Sequence, residues 1–451
     1  MAQPPDSFGA LDAIERPRTS FPPLSPPILE TSGRTVETPV SARRRTHTLR
    51  FLLAAFGPGI MVMLADTDAG SIVTASQSGA QWGYRMIPPL IALVAVLYLV
   101  QEMTVRLGIV TGKGHGELIR ERFGTGWACL SVGTLFLAAM GALVTEFAAI
   151  SGVGQLFGVP PLVAVGMAVG TLIVLGLTSS YGRVERVGIA VGLFELFFIP
   201  AALMAHPDAG TVGKQLLTTP FTDRDYLFLL AANVGAVIMP WMVFYQQGAV
   251  IDKRLGVRHL KGARLDTLLG SVMTQVIMIA VVVATAATIG LSGGHRSLNS
   301  IQEIATALQP FLGWTGARLV FGLGMLGAAF VAALVVSVAS AWAVGEALGT
   351  PHSLNHRVAE ARWFYLAYVL ALAGGAAVVL SGIPLVSLTI NIEVMNALLL
   401  PLVLGFLLAL EAKALPPDLR MRGLRKYVTW LSSSAVMAFG VFMAARLLLG
   451  G

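Results

Sequence analysis

Five acidic side chains stand inside stretches of sequence that are otherwise apolar: Asp66, Asp68, Glu146, Glu195 and Glu393. An ionisable group at bilayer depth is costly and marks a functional position by default. Snorkelling or helix capping near a span end is the plain alternative. That alternative suits Glu146 and Glu195 best and Asp68 and Glu393 least, since the last two fall near the middle of their apolar runs. Around the first pair the chain reads Gly57-Pro58-Gly59, then Ala65-Asp66-Thr67-Asp68-Ala69-Gly70-Ser71. Such a run is poor material for a continuous lipid-facing helix. It suits a helix broken into two halves, whose unwound carbonyls and half-helix ends line a polar cavity. Asp66 and Asp68 are two apart, so a regular helix would not put them on one face. One is expected to face the cavity and the other to cap or orient.

A second interruption reads Gly235-Ala236, then Met239-Pro240-Trp241. Proline lacks an N–H and clashes with the carbonyl four residues back, which frees the carbonyl of Ala236. A released carbonyl beside the Met239 thioether offers one hard and one soft ligand on the same side of a broken helix. Interrupted segments in corresponding positions of two halves point to a substrate site in an inverted-repeat transporter.

The elements that must hold these residues are membrane spans. Of the 451 residues, 55% are hydrophobic and only 12% charged, half the share usual in soluble domains. Mean hydropathy is +0.75, and residues 87–100, 162–177 and 276–289 carry no charge at all. About 20 apolar residues cross the ~30 Å bilayer core as a helix. The expected fold is therefore an all-α polytopic membrane protein with about eleven spans. They run near 50–80, 86–110, 126–157, 161–179, 186–205, 226–250, 265–291, 315–347, 363–381, 384–410 and 428–449. Residues 1–48 form a polar tail too poor in apolar residues to fold alone, followed by a transmembrane domain over 49–451. The single cysteine, Cys129, excludes an intrachain disulfide and reads as a small apolar filler in a helix.

Loops on one side hold most of the Lys and Arg, from Lys113, Arg120 and Arg122 to Arg420, Arg422 and Arg425; the other side holds little beyond Arg85, Lys214, Arg224 and Arg296. The positive-inside bias places the amino terminus in the cytoplasm and, with an odd span count, the carboxyl terminus outside the cell membrane. The net charge of +7 is thus a topology signal, and a nucleic-acid partner drops out.

At the two broken segments the sequence resembles the NRAMP family of divalent-metal transporters, which adopt the LeuT-type fold. Gly57-Pro58-Gly59 through Gly79-Ala80-Gln81-Trp82-Gly83-Tyr84 follows the family's first-helix pattern, and Gly235-Ala236 with Met239-Pro240 follows its sixth. The likeness covers about residues 50–449. It implies a 5+5 inverted repeat with helices 1 and 6 broken: repeat one near 50–205, repeat two near 226–410 and an extra helix near 428–449. It further implies that Asp68 and the Ala65 carbonyl bind metal from the first helix, and Met239 and the Ala236 carbonyl from the sixth. A carboxylate, carbonyls and one thioether suit Mn²⁺ or Fe²⁺, the sulfur discounting Mg²⁺ and Ca²⁺.

The departures from the family carry information. Its Asp-Pro-Gly-Asn reads Asp68-Ala69-Gly70-Ser71 here, and its Met-Pro-His reads Met239-Pro240-Trp241, so an amide becomes a hydroxyl and a proton-handling histidine is gone. Gln246 stands where a second histidine is usual, Lys253 where a basic residue is expected, and Glu393 where the family often places a glutamine. Glu146 matches the first acid of a third-helix pair whose second member is Ala149. The expected metal set is Asp68, Met239, Ala236, Ala65, Ser71 and Glu393. Glu146, Asp66, Lys253 and Gln246 would form a proton or polar pathway, and Gly70, Pro240 and Trp241 the helix breaks and gate.

The expected function is import of a divalent transition metal by alternating access, driven by a proton gradient or the membrane potential. The alternatives are a carrier redesigned for Mg²⁺ or another hydrated divalent ion, and a small organic solute transporter. An enzyme is not expected, since all seven histidines sit in the tail, loops or span ends and no Walker motif is present. No cofactor or obligate protein partner is implied; the ion, H⁺ and the lipid bilayer are the expected partners.

Overall fold

The computed structural model describes residues 55–290, 297–382 and 385–449, so the tail at 1–48 lies outside the described residues. Every regular element among those residues is a helix, with no strand among them. The chain opens with α1 (Pro58–Asp66) and α2 (Ala69–Trp82), two halves of one interrupted segment. Gly57, at φ 135°, turns the chain into α1 in a conformation that favours glycine. A 3-10 turn leads to α3 (Ile87–Thr111), the short α4 (His115–Phe123) and the long α5 (Thr125–Leu156). Then come α6 (Pro161–Gly176), α7 (Tyr181–Gly192) and α8 (Phe198–Met204). A short α9 (Ala209–Leu216) precedes α10 (Arg224–Val237) and α11 (Pro240–Asp252), the second interrupted segment. The chain finishes with α12 (Leu260–Thr285), α13 (Ile301–Thr306), α14 (Gln309–Leu348), α15 (Arg362–Leu380), α16 (Leu385–Ala414) and α17 (Gly423–Leu448).

By length and hydropathy, nine helical stretches among the described residues are able to cross a membrane, where the sequence suggests eleven. Two features account for the difference. Ala69–Thr111 is one run of helical backbone joined through the turn at Gly83, so two expected spans count once. At sixteen residues Pro161–Gly176 is short, about 24 Å at about 1.5 Å per residue, against a ~30 Å hydrocarbon core.

The interrupted α10–α11 segment lies at the centre. In its most apolar stretch 94% of residues are buried, against 22% for α17 at the periphery. Around it α5 packs on α14, α10 on α16, and α12 against α1, α2 and α3. Cys129 lies within the helix α5, as the sequence suggests, and is exposed there. The short helix α4 is capped by Gly114 and held by Glu346 of α14. The Glu346 Oε2 there accepts the Gly116 N–H at 2.7 Å.

Charges at one end of the bundle are paired across helices. Glu102 of α3 meets three arginines: Arg106 at 3.3 Å, Arg264 of α12 at 2.7 Å, and Arg425 of α17. Arg106 also reaches Glu411 of α16 at 3.0 Å. At the same end of α1, Asp266 of α12 accepts the N–H groups of Gly57 (3.1 Å), Gly59 (2.6 Å) and Ile60 (3.3 Å). These are donors that a helix start leaves unpaired. Removing one partner of a buried ion pair leaves the other uncompensated. Glu102→Gln is therefore expected to cost about 3–5 kcal/mol of stability, read as a lower denaturation midpoint of the detergent-purified protein. An unchanged midpoint would show that the hub carries no net stabilisation.

Candidate functional site

The first break falls at Thr67 and Asp68. Thr67 leaves the helical region at φ −77°, ψ 46°, and Asp68 is extended at φ −69°, ψ 177°. Asp68 then caps α2, its Oδ1 accepting the Ser71 N–H at 2.7 Å. Glu146 Oε2 on α5 accepts the Ala69 N–H at 3.2 Å. Two carboxylates thus meet the positive end of the α2 dipole. Asp66 turns to α12 instead, where Thr274 Oγ1 donates to its Oδ2 at 3.2 Å. The two aspartates divide their work as their spacing demands.

The second break falls at Ile238 (φ −128°, ψ 89°) and Met239 (φ −95°, ψ 143°). Pro240 opens α11, at the position where its missing N–H costs least. The Ser71 hydroxyl joins the two breaks, lying 2.8 Å from the Asp66 carbonyl and 3.1 Å from the Ala236 carbonyl. Met239 Sδ accepts the indole N–H of Trp241 at 3.1 Å. Ala65 sits in the last turn of α1, fully buried.

Glu393 enters from α16. Asn396 Nδ2 donates to its Oε2 at 3.0 Å, while its Oε1 and the Oδ2 of Asp68 have no partner at hydrogen-bond distance. Two glycines allow the approach. A Cβ on Gly70 would run into the Glu393 carboxylate, and a Cβ on Gly235 would land on the Glu393 backbone carbonyl. Asp68, Ser71, Ala236, Met239 and Glu393 are all buried. The structure therefore brings together Asp68, Ser71, Ala236, Glu393, Gly70 and Gly235, with Glu146 beside them; Met239, Pro240 and Trp241 form the second break just beyond Ala236, and Ala65 lies in the last turn of α1.

Lys253 and Gln246 lie elsewhere. Lys253 is fourteen residues beyond Met239 on α11, roughly 21 Å at about 1.5 Å per residue. It donates to both Glu185 oxygens, at 2.9 and 2.8 Å, and to the Phe56 carbonyl. Gln246 Nε2 reaches Thr267 on α12 at 3.5 Å. Sequence reasoning missed Asn396, although it shares a helix face with Glu393 three residues earlier. It also missed Thr274 and Asp266, whose partners are distant in sequence and carry no local signal.

Among the described residues no three His, Cys, Asp or Glu side chains converge as a metal cage. Asp68, Glu393, Ser71, Met239 and the carbonyls at the breaks offer oxygen donors and one sulfur, a mixed set of the kind that suits borderline transition metals. A cavity of about 420 Å³, lined by Gln77, Gln81, Asp223 and Asp225, adjoins the start of α10. Another of about 410 Å³, lined by Glu117, Asp252, Glu346 and His352, adjoins the end of α11.

Facing half-helices around a buried polar site, with a cavity at each outer end of the α10–α11 segment, are the architecture of a secondary transporter. The family model described as natural resistance-associated macrophage protein-like matches residues 59–446, and the chain belongs to this Nramp family. It is 26% identical over 433 residues to the divalent metal cation transporter MntH of Verminephrobacter eiseniae, covering 92% of this chain and 93% of that one. It is 29% identical over 321 residues to MntH of Yersinia pestis, covering 68% and 75%. A crystal structure of the Eremococcus coleocola manganese transporter shares the fold, with a TM-score of 0.71, 17% identity, and coverage of 90% of this chain and 88% of that chain.

The close approach of α16 to the breaks is testable. Gly235→Ala is expected to destabilise by about 1–3 kcal/mol through overpacking. Gly213→Ala in α9, where an added Cβ meets nothing within 4 Å, serves as control. Equal thermal midpoints for the two variants would refute the tight contact.

Proposed function

We propose that the protein is a secondary active transporter that imports a divalent transition-metal ion of the Mn²⁺ and Fe²⁺ class by alternating access. The observation that carries this reading is the Ser71 bridge between the two helix breaks. It sets the Ala236 carbonyl against the start of α2 that Asp68 caps, with Glu393 against Gly70 and Met239 at the second break just beyond Ala236. Asp68, Met239, Glu393, Ser71 and the carbonyls of Ala236 and Ala65 bind the ion, which is substrate and not cofactor. The names of the curated relatives support the same substrate class. Glu146 and Asp66 serve a polar path beside the site. The Lys253–Glu185 pair, 2.8 Å apart at its closer contact, serves as a latch between α11, α7 and the start of α1.

The chain sits in the cell membrane with its amino terminus in the cytoplasm and its carboxyl terminus outside, by the distribution of Lys and Arg. The membrane part divides into two five-span repeats, near 50–205 and 226–410, with one further helix. The proton gradient or the membrane potential drives transport.

A second reading, selection of a harder ion such as Mg²⁺, draws on one contact. The Trp241 indole N–H engages the Met239 sulfur, so a soft cation must displace it, while the Glu393 carboxylate favours any divalent ion.

Uptake of Mn²⁺, Fe²⁺, Cd²⁺, Mg²⁺ and Ca²⁺ into proteoliposomes, with a pH dye inside, decides between the readings. Mn²⁺ uptake that is lost in Asp68→Ala is the expected result; no divalent-ion uptake, with Asp68→Ala matching the wild type, would end the metal-transport reading. Trp241→Phe removes one hydrogen bond of net ~1 kcal/mol and is expected to raise Cd²⁺ over Mg²⁺ uptake by about fivefold. An unchanged ratio would show that the sulfur is not held back by the indole.

A further inference from the structure

Between α7 and α8 the fifth segment tightens into a 3-10 turn, Leu193–Phe197, with Glu195 at its centre. Such a turn in mid-span marks a hinge or a constrained position. Glu195 is the buried residue of that turn, with 0% exposure, and neither carboxylate oxygen has a hydrogen-bond partner. Snorkelling is therefore excluded. Gly192 and Gly188 pack against Leu64 and Met61 of α1, so Glu195, one turn further on, stands beside the first break at Thr67, with Asp66 and Asp68 the acids of that break. Helix α14 packs against the turn and has no charged residue from 319 to 345.

Beyond Thr67 the polar groups continue. Its hydroxyl lies 2.7 Å from that of Thr274, which donates to Asp66 at 3.2 Å. Two hydroxyls thus connect the break to Asp66, and Glu195 stands at the open end of the chain. A bare carboxylate at this depth is very costly, so a cation must visit it. The Thr67 hydroxyl beside Glu195 is already bonded to that of Thr274, an arrangement that suits relay of a proton better than it suits the several converging donors a metal ion needs.

We propose that Glu195 is the binding station of the coupling proton, separate from the metal site and joined to it through Thr67. This rests on the metal-transport reading and names its coupling residue. The carboxylate accepts one proton while the site is open to one side and releases it to the other. Only an O–H bond is made and broken.

The test uses the full-length protein in proteoliposomes, with Mn²⁺ uptake and internal pH followed together across a pH series. Glu195→Gln keeps the shape and removes the titrating group. It is expected to lose Mn²⁺-driven acidification and the pH dependence of uptake, while Mn²⁺ entry driven by an imposed potential stays measurable. Glu195→Asp is expected to retain acidification with a displaced pH profile, which a packing role would not produce. An unchanged H⁺-to-Mn²⁺ ratio in Glu195→Gln, or an unchanged profile in Glu195→Asp, overturns the proposal. So does wild-type uptake driven by a Na⁺ gradient and lost in Glu195→Gln. Absence of Mn²⁺ uptake by the wild type would instead overturn the metal-transport reading.

Discussion

Backbone amides and carbonyls in hydrocarbon must be satisfied from within the protein, at several kcal/mol for each one left bare. Helix breaks at Thr67–Asp68 and Ile238–Met239 violate that constraint locally, and neighbouring groups resolve it. Asp68 and Glu146 take the first amides of α2, and the Ser71 hydroxyl meets carbonyls from both breaks. The groups that repair the backbone are therefore among those proposed to serve the cation. Fold and site share one set of atoms, which is why the two broken helices are seated against each other at the most enclosed part of the bundle.

Buried charge in this protein is of two kinds. Glu102 is surrounded by Arg106, Arg264 and Arg425, Glu185 is held by Lys253, and Asp266 is spent on three backbone amides. Those charges are compensated and join helices. Asp68, Glu393 and Glu195 each keep at least one oxygen without a partner. Among the described residues no Lys or Arg pairs with any of the three, and low dielectric extends the reach of their field. The contrast separates structural acids from acids available to a cation more sharply than burial does, since both kinds are buried.

Much of this was legible in the sequence. Gly, Pro and polar residues in apolar runs mark both breaks, and Asp68, Met239 and Ala236 follow from them because a break exposes ligands close in sequence. Glu393 followed only from its place in the family pattern, since nothing local on α16 says that Gly70 and Gly235 lie against it. Lys253 and Gln246 occupy family positions, yet they face Glu185 and Thr267. Asp266, Thr274 and Asn396 gain their partners only through tertiary contact or helix phase. Glu195 looked like a residue near a span end because hydropathy is blind to the 3-10 turn that points it inward.

The three amide bonds to Asp266 make α1 a lever fastened at one end. Its anchored end is tied to α12, and its free end is the unwound Thr67 beside the site. Rocking of α1 away from the bundle must carry α12 along or break charge-assisted hydrogen bonds of about 1.5–3 kcal/mol each. Opening at that end then has a large enthalpic barrier, so the cycling rate should climb steeply with temperature. A single carboxylate far from any ligand sets how often the gate turns over.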